Sequence, residues 1–162
     1  MPNVPGVQAT LTVETTEALL AAAEVLAALA SRSLTAVSDE VTESQYRLLV
    51  VLDAGGPRTM SALATALGVR PSSVTRACDR LVDKHLIRRS SDADDRRAVR
   101  IELADRGRWI VREVMRRRRD TIDQILRSLG ATRQRAIAVA LRQFNAAATV
   151  VNGMEGVPAG DA

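Results

Sequence analysis

Five hydrogen-bonding side chains crowd into nine residues of this chain: Ser72, Ser73, Thr75, Arg76 and Arg80. On one helix, Val74, Cys78 (or Ala77), Leu81 and Val82 would recur at i, i+3/4, i+7 and i+8 and turn toward a core. The five polar residues then face outward, with few acids and no large apolar side chain among them. Hydroxyls and guanidinium groups set in such a row can bind phosphate oxygens and base edges, arginine bidentately at guanine. The bland alternative is an ordinary solvated helix face.

Other chemistries lack their parts. No nucleophile–base pair, cofactor motif or phosphate-cradling Gly-rich loop is visible, so neither catalysis nor a cofactor is expected. One Cys and one His are too few for a zinc site, and a single Cys excludes an internal disulfide. Cys78 falls on the apolar side of its helix and is expected to be a buried structural thiol.

The flanking residues form elements that would position the polar row. TMSALATAL predicts a short helix with Thr59 as N-cap and Leu63, Ala64 and Leu67 on its apolar side. Gly68 can end it in the left-handed conformation, Val69 and Arg70 make the turn, and Pro71 suits the first position of the next helix. Two helices about a tight turn, the second with a polar and basic face, match a helix-turn-helix. After it, Val99, Ile101 and Leu103 alternate with Arg100 and Glu102, the period of a half-buried strand. Ile87 to Ser90 would pair with that strand around a polar loop from Ser91 to Arg96, making a charged β-hairpin, or wing.

Charge is placed to suit this reading. The net charge is +4, but residues 1–40 hold one Arg and five acids, whereas residues 58–108 hold twelve Lys/Arg and seven acids. Basic groups coincide with the helix-turn-helix, where phosphate binding would need them. The Arg116–Arg119 run is different. Glu113, Asp120 and Asp123 stand four residues from Arg117, Arg116 and Arg119, which favours a salt-bridged solvated face.

The pairing of SVTRACDRL with DDRRAVRIEL, in this order and spacing, resembles the MarR (multiple antibiotic resistance regulator) family of winged-helix transcription factors. The likeness covers most of the chain. It implies that Arg70, Ser72, Ser73, Thr75, Arg76 and Arg80 meet double-stranded DNA together with the wing, whose Asp95–Arg96–Arg97 matches the family's Asp-Arg-Arg signature. Arg96 would enter the minor groove, where a narrow groove concentrates negative potential, and Arg97 would pair with Asp95 to shape the hairpin. Three positions depart from the family pattern. Arg70 stands where a capping Ser or Asp is usual, His85 where Gly usually ends the recognition helix, and Ala104 where Thr usually opens the next one. The last change would leave a weak cap or move it to Asp105.

The rest of the chain predicts a mainly α fold with a small β-hairpin wing: a winged helix-turn-helix plus a helical dimerisation region. Residues 1–11, with two Pro and no period, are expected to be a disordered lead-in and 154–162 a loose tail. Residues 12–40 form an N-terminal helix with a stripe of Leu19, Ala22, Ala23, Leu26, Leu29 and Ala30. Thr42 and Gln45 form a capping box for the helix that follows, and the DNA-binding domain spans 41–104. Residues 105–153 hold two more helices, the first running to about Leu129 and stopped by Gly130, the second capped by Thr132. The terminal helices are apolar beyond what the winged helix can cover. The resemblance implies that they interlock in a homodimer; periodicity alone permits another oligomer.

With no uncharged apolar run of 18 residues and no leader pattern, a soluble, cytoplasmic protein with no membrane partner is expected. Tyr46 and Trp109 are expected in the core rather than at a ligand. They also lie on the helices joining the dimer body to the winged helix. The resemblance suggests a small aromatic acid such as salicylate wedged there, with Arg47 or Arg88 offsetting its charge. The expected function is a homodimeric repressor on a pseudo-palindromic operator, released by an effector. The alternatives are an effector-independent architectural DNA-binding protein and a degenerate member acting only through protein contacts. Intact Arg76, Arg80 and Arg96 speak against the latter.

Overall fold

A computed structural model describes residues 5–91 and 99–152 of the chain. They form α1 (Pro5–Thr35), α2 (Glu43–Gly55), β1 (Arg58–Thr59), α3 (Met60–Leu67), α4 (Pro71–Asp83), β2 (Ile87–Ser91), β3 (Val99–Leu103), α5 (Asp105–Arg127) and α6 (Ala131–Asn152). By backbone contacts the chain divides into a unit of residues 1–119 and a unit of residues 120–162.

Local chemistry sets most boundaries in the first unit. α2 opens on the expected capping box: Gln45 N donates to Thr42 Oγ1 at 3.3 Å and Thr42 N to Gln45 Oε1 at 3.2 Å. Gly56 follows its last turn at φ +66, a conformation that costs glycine nothing. α1 begins at Pro5, seven residues before the expected start at Thr12. Proline is well suited to a first helical position, and nothing between it and Thr12 breaks the helix.

The core is aliphatic, as a chain with so few aromatics must make it. Leu48, Leu49, Leu52, Leu63, Val74, Cys78, Leu81, Leu86, Ile87, Ile101 and Val114 are fully buried. They come from α2, α3, α4, both wing strands and α5, so the helix-turn-helix is clamped between α2 and the sheet. That sheet is antiparallel in the order β1-β3-β2. The β2–β3 register runs from Ile87↔Leu103 to Ser91↔Val99. β1, which pairs Arg58 with Ile101, was not expected because two residues carry no period. Ile101 and Leu103 are buried as alternation predicts, but Val99, on the outermost rung, is 51% exposed.

Trp109 corrects another expectation. It is 57% exposed, whereas Ile110, Val111 and Val114 are buried. These three occupy the inward stripe of α5, and a residue one place before it points about 100° away. Among the residues of α1 whose burial is described, Ser33 and Leu34 are buried, whereas Leu20, Val25 and Leu26 are more than half exposed. The stretch Thr12–Thr35 is long and apolar enough to cross a membrane by length and composition, although Glu14, Glu17, Glu24 and Arg32 interrupt it.

In the second unit, the end of α5 and the start of α6 meet at a turn. Gln134 Nε2 donates to the carbonyls of Leu126 and Leu129, both at 2.8 Å, satisfying acceptors that a helix end leaves open. Thr132 lies inside α6 rather than capping it. The carbonyl of Gly130 instead accepts Gln134 N–H at 3.2 Å, which places Gly130 at the cap. Ile125, Val139, Leu141 and Phe144 are each 45–49% exposed.

Candidate nucleic-acid interface

The turn between α3 and α4 is built by Gly68, at φ 65 and ψ 34. Its N–H donates to Thr65 O and that of Val69 to Ala64 O, each at 3.1 Å, closing α3 with a left-handed cap. Arg70 is extended and makes no side-chain cap, and Pro71 opens α4. Ser73 N–H donates to Arg70 O at 3.0 Å. Val74, Cys78 and Leu81 anchor α4 in the core. Arg70, Ser72, Ser73, Thr75, Arg76 and Arg80 are all exposed, so the structure brings the expected set onto one outer surface. Thr75 Oγ1 donates to Pro71 O at 3.1 Å, which commits its proton and leaves its oxygen as an acceptor.

The far end of α4 is tied down. His85 adopts φ 55, the left-handed geometry that glycine fills with less strain. Its N–H donates to Val82 O at 2.8 Å and that of Leu86 to Leu81 O at 2.9 Å. Lys84 Nζ donates to Glu40 O. Arg106 donates to Lys84 O at 3.0 Å and pairs with Glu40 at 3.2 Å. The orientation of α4 is therefore held at both ends.

Ion pairs hold the described parts of the wing strands. Arg88 meets Glu102 at 2.6 Å across the ladder, and Arg89 meets Asp79 of α4 at 2.5 Å. Sequence reasoning missed Asp79 and Arg89. The available signal was strand alternation, which turns Arg88 and Arg89 to opposite faces. Asp95, Arg96 and Arg97 lie outside the described residues, so the wing signature has no geometry here.

The suggested effector residues have different surroundings among the described residues. Tyr46 is 5% exposed with the Arg118 guanidinium 5.0 Å from its ring centroid, and Arg118 also donates to Ala30 O at 3.3 Å. Burial raises the Tyr46 pKa, against the pull of Arg118. Arg88 is engaged by Glu102 and Trp109 is exposed. Arg47 lines a separate cleft of about 200 Å³ with Ser44, Leu48, Leu67, Val69 and Ser73. Glu113 binds both Arg116, at 2.7 Å, and Arg117, at 2.9 Å, as the reading of a salt-bridged face expected. Cys78 is buried as expected, and desolvation pushes its thiol up to about 11, with Arg89 pulling the other way.

Known proteins share this arrangement. Residues 41–99 match the model of the MarR family. RV1404 from Mycobacterium tuberculosis is 37% identical, with a TM-score of 0.79, over 86% of this chain and 92% of that one. The transcriptional repressor MdtR of Bacillus subtilis is 37% identical over 46% of this chain and 48% of its own length. YhbI of the same organism, an uncharacterised helix-turn-helix transcriptional regulator, is 36% identical over 44% and 47%. The chain thus spans about half the length of these curated relatives. The helix-turn-helix geometry, the matched residues and the near full-length likeness to RV1404 together place the chain in the MarR family.

Proposed function

We propose that this chain is a sequence-specific DNA-binding transcriptional regulator, acting as a homodimeric repressor on a pseudo-palindromic operator. The observation that carries the reading is the outer face of α4. Ser72, Ser73, Arg76 and Arg80 stand exposed there on a helix anchored by Val74, Cys78 and Leu81. Such a face fits the major groove, and the basic wing fits the neighbouring minor groove. The repressor role of MdtR supports the direction of control. Exposed apolar residues on α1 (Leu20, Val25, Leu26) and on α6 (Leu141, Phe144) support a partner for each helix, since patches of this kind are costly in water. A second copy supplies one, and it leaves α1 a helix of a soluble, cytoplasmic protein.

Release by a small aromatic acid is part of the reading. A ligand lowers DNA affinity only if it prefers the DNA-incompetent state. Selecting bound fragments from the source genome, then footprinting them, tests the proposal. Symmetric half-sites with centres about 10 bp apart are expected. A single asymmetric half-site bound by a monomer would sink it, and binding with no palindrome preference would favour an architectural role. Titrating aromatic acids into the complex tests the effector: no release of DNA and no change in Trp109 fluorescence up to millimolar levels would remove it.

A further inference from the structure

We propose that Arg89 is a positioning residue: by holding Asp79 it keeps Arg76 free for DNA. The inference rests on the DNA-binding reading for its purpose, but its physical content concerns the free protein.

Asp79 is the acid that lies between the two arginines of the α4 recognition face, three residues after Arg76 and one before Arg80. Three residues is the spacing at which side chains of opposite charge pair along a helix. Yet the Asp79 carboxylate turns to Arg89 on β2, 2.5 Å away. Among the described residues the side chains of Arg76 and Arg80 have neither an ion pair nor a hydrogen bond, and both residues are exposed. Without Arg89, the nearest arginine at helical pairing distance for Asp79 would be Arg76.

The consequence for binding follows from charge and geometry. A guanidinium already engaged by a carboxylate must give it up before it can take guanine bidentately. An uncompensated carboxylate on the same face would also repel phosphate. Arg89 removes both problems from a rigid base. Its strand is paired with β3 from Ile87 to Ser91, Arg89 stands opposite the buried Ile101, and its neighbour Arg88 is held by Glu102. Arg89 therefore acts through Asp79 on Arg76, and it also ties the root of the wing to the recognition helix.

Four variants decide the matter: Arg89→Ala, Asp79→Asn, the two combined, and Arg89→Lys. In the DNA-free protein, nitrogen-15 spectra of the arginine Nε–H groups report pairing directly. Arg76 Nε–H should become protected from solvent exchange in Arg89→Ala and lose that protection when Asp79→Asn is added. On the selected operator, Arg89→Ala should bind about tenfold more weakly and lose preference at the base pair read by Arg76. The double variant should recover both affinity and preference, and Arg89→Lys should retain them. An unchanged Arg76 signal in folded Arg89→Ala overturns the proposal. So does a double variant as weak as Arg89→Ala, which would make Arg89 a direct DNA contact. If the wild type bound no DNA, the regulator reading would fall, while the Arg76 signal would still decide the inference.

Discussion

Gly107 of α5 and Leu86 at the head of β2 approach so closely that a Cβ on Gly107 would stand 2.1 Å from the Leu86 carbonyl oxygen. The same oxygen accepts the Ala104 N–H at 3.0 Å. This contact seats α5 against the end of the recognition unit. On propensity alone, Gly107→Ala would stabilise a helix by up to about 1 kcal/mol. Here backbone must move instead, and overpacking of this kind costs about 1–3 kcal/mol. A denaturant midpoint no lower than that of the wild type would show that the approach is not needed.

His85→Gly should act in the opposite direction. A non-glycine residue at φ 55 carries roughly 1–2 kcal/mol of strain. Part of the relief is lost to the greater freedom of glycine in the unfolded chain. A net gain of about 0.5–1 kcal/mol is expected, with His85→Val clearly destabilising. Thermal unfolding of both variants checks the pair.

Two titrating groups give stability opposite pH dependences. The hydrogen bond from Arg116, aided by Arg117, holds the Glu113 carboxyl at about 2. A depressed acid contributes stability that is full above its ordinary value, about 4.3, and is lost as pH falls through 2. The stability difference between wild type and Glu113→Gln should therefore shrink toward zero between those values. Because Glu113 is on the surface, the difference should be small and should weaken in salt.

Cys78 behaves conversely. Its thiol is raised to about 11 by burial, so its contribution is full below the ordinary thiol value and is lost as pH rises through 11. A thiol reagent at pH 8 should leave Cys78 unmodified in the folded protein and react promptly in denaturant. Rapid reaction under native conditions would contradict its burial in the core.

Arg76→Ala should cost about 1–3 kcal/mol of specific binding and relax preference at one base pair. Arg96→Ala should weaken binding through the minor groove, if the wing acts as proposed. Equal affinities for wild type and both variants at matched salt would mean that DNA meets another face.

Much of this protein is set by neighbours in the sequence. The Thr42–Gln45 capping box, the Thr59 cap, the Gly68 turn and Pro71 act within a few residues, so each element is specified where it forms. The outward row on α4 was legible for the same reason: helical period separates Val74, Cys78 and Leu81 from Ser72, Arg76 and Arg80. Ile101 and Leu103 likewise betray their burial by alternation. Tertiary structure decided what depends on approach between distant residues. β1 exists only because β3 offers it a partner, as two residues have no period of their own. Trp109 faces outward because Ile110, Val111 and Val114 take the inward stripe of α5, and large aromatic side chains carry no intrinsic sense of side. The seat of Gly107 on Leu86 and the choice of Arg89 over Arg76 by Asp79 join residues from different elements. Local pattern cannot rank such contacts, because their energies depend on a distance that only the folded chain sets.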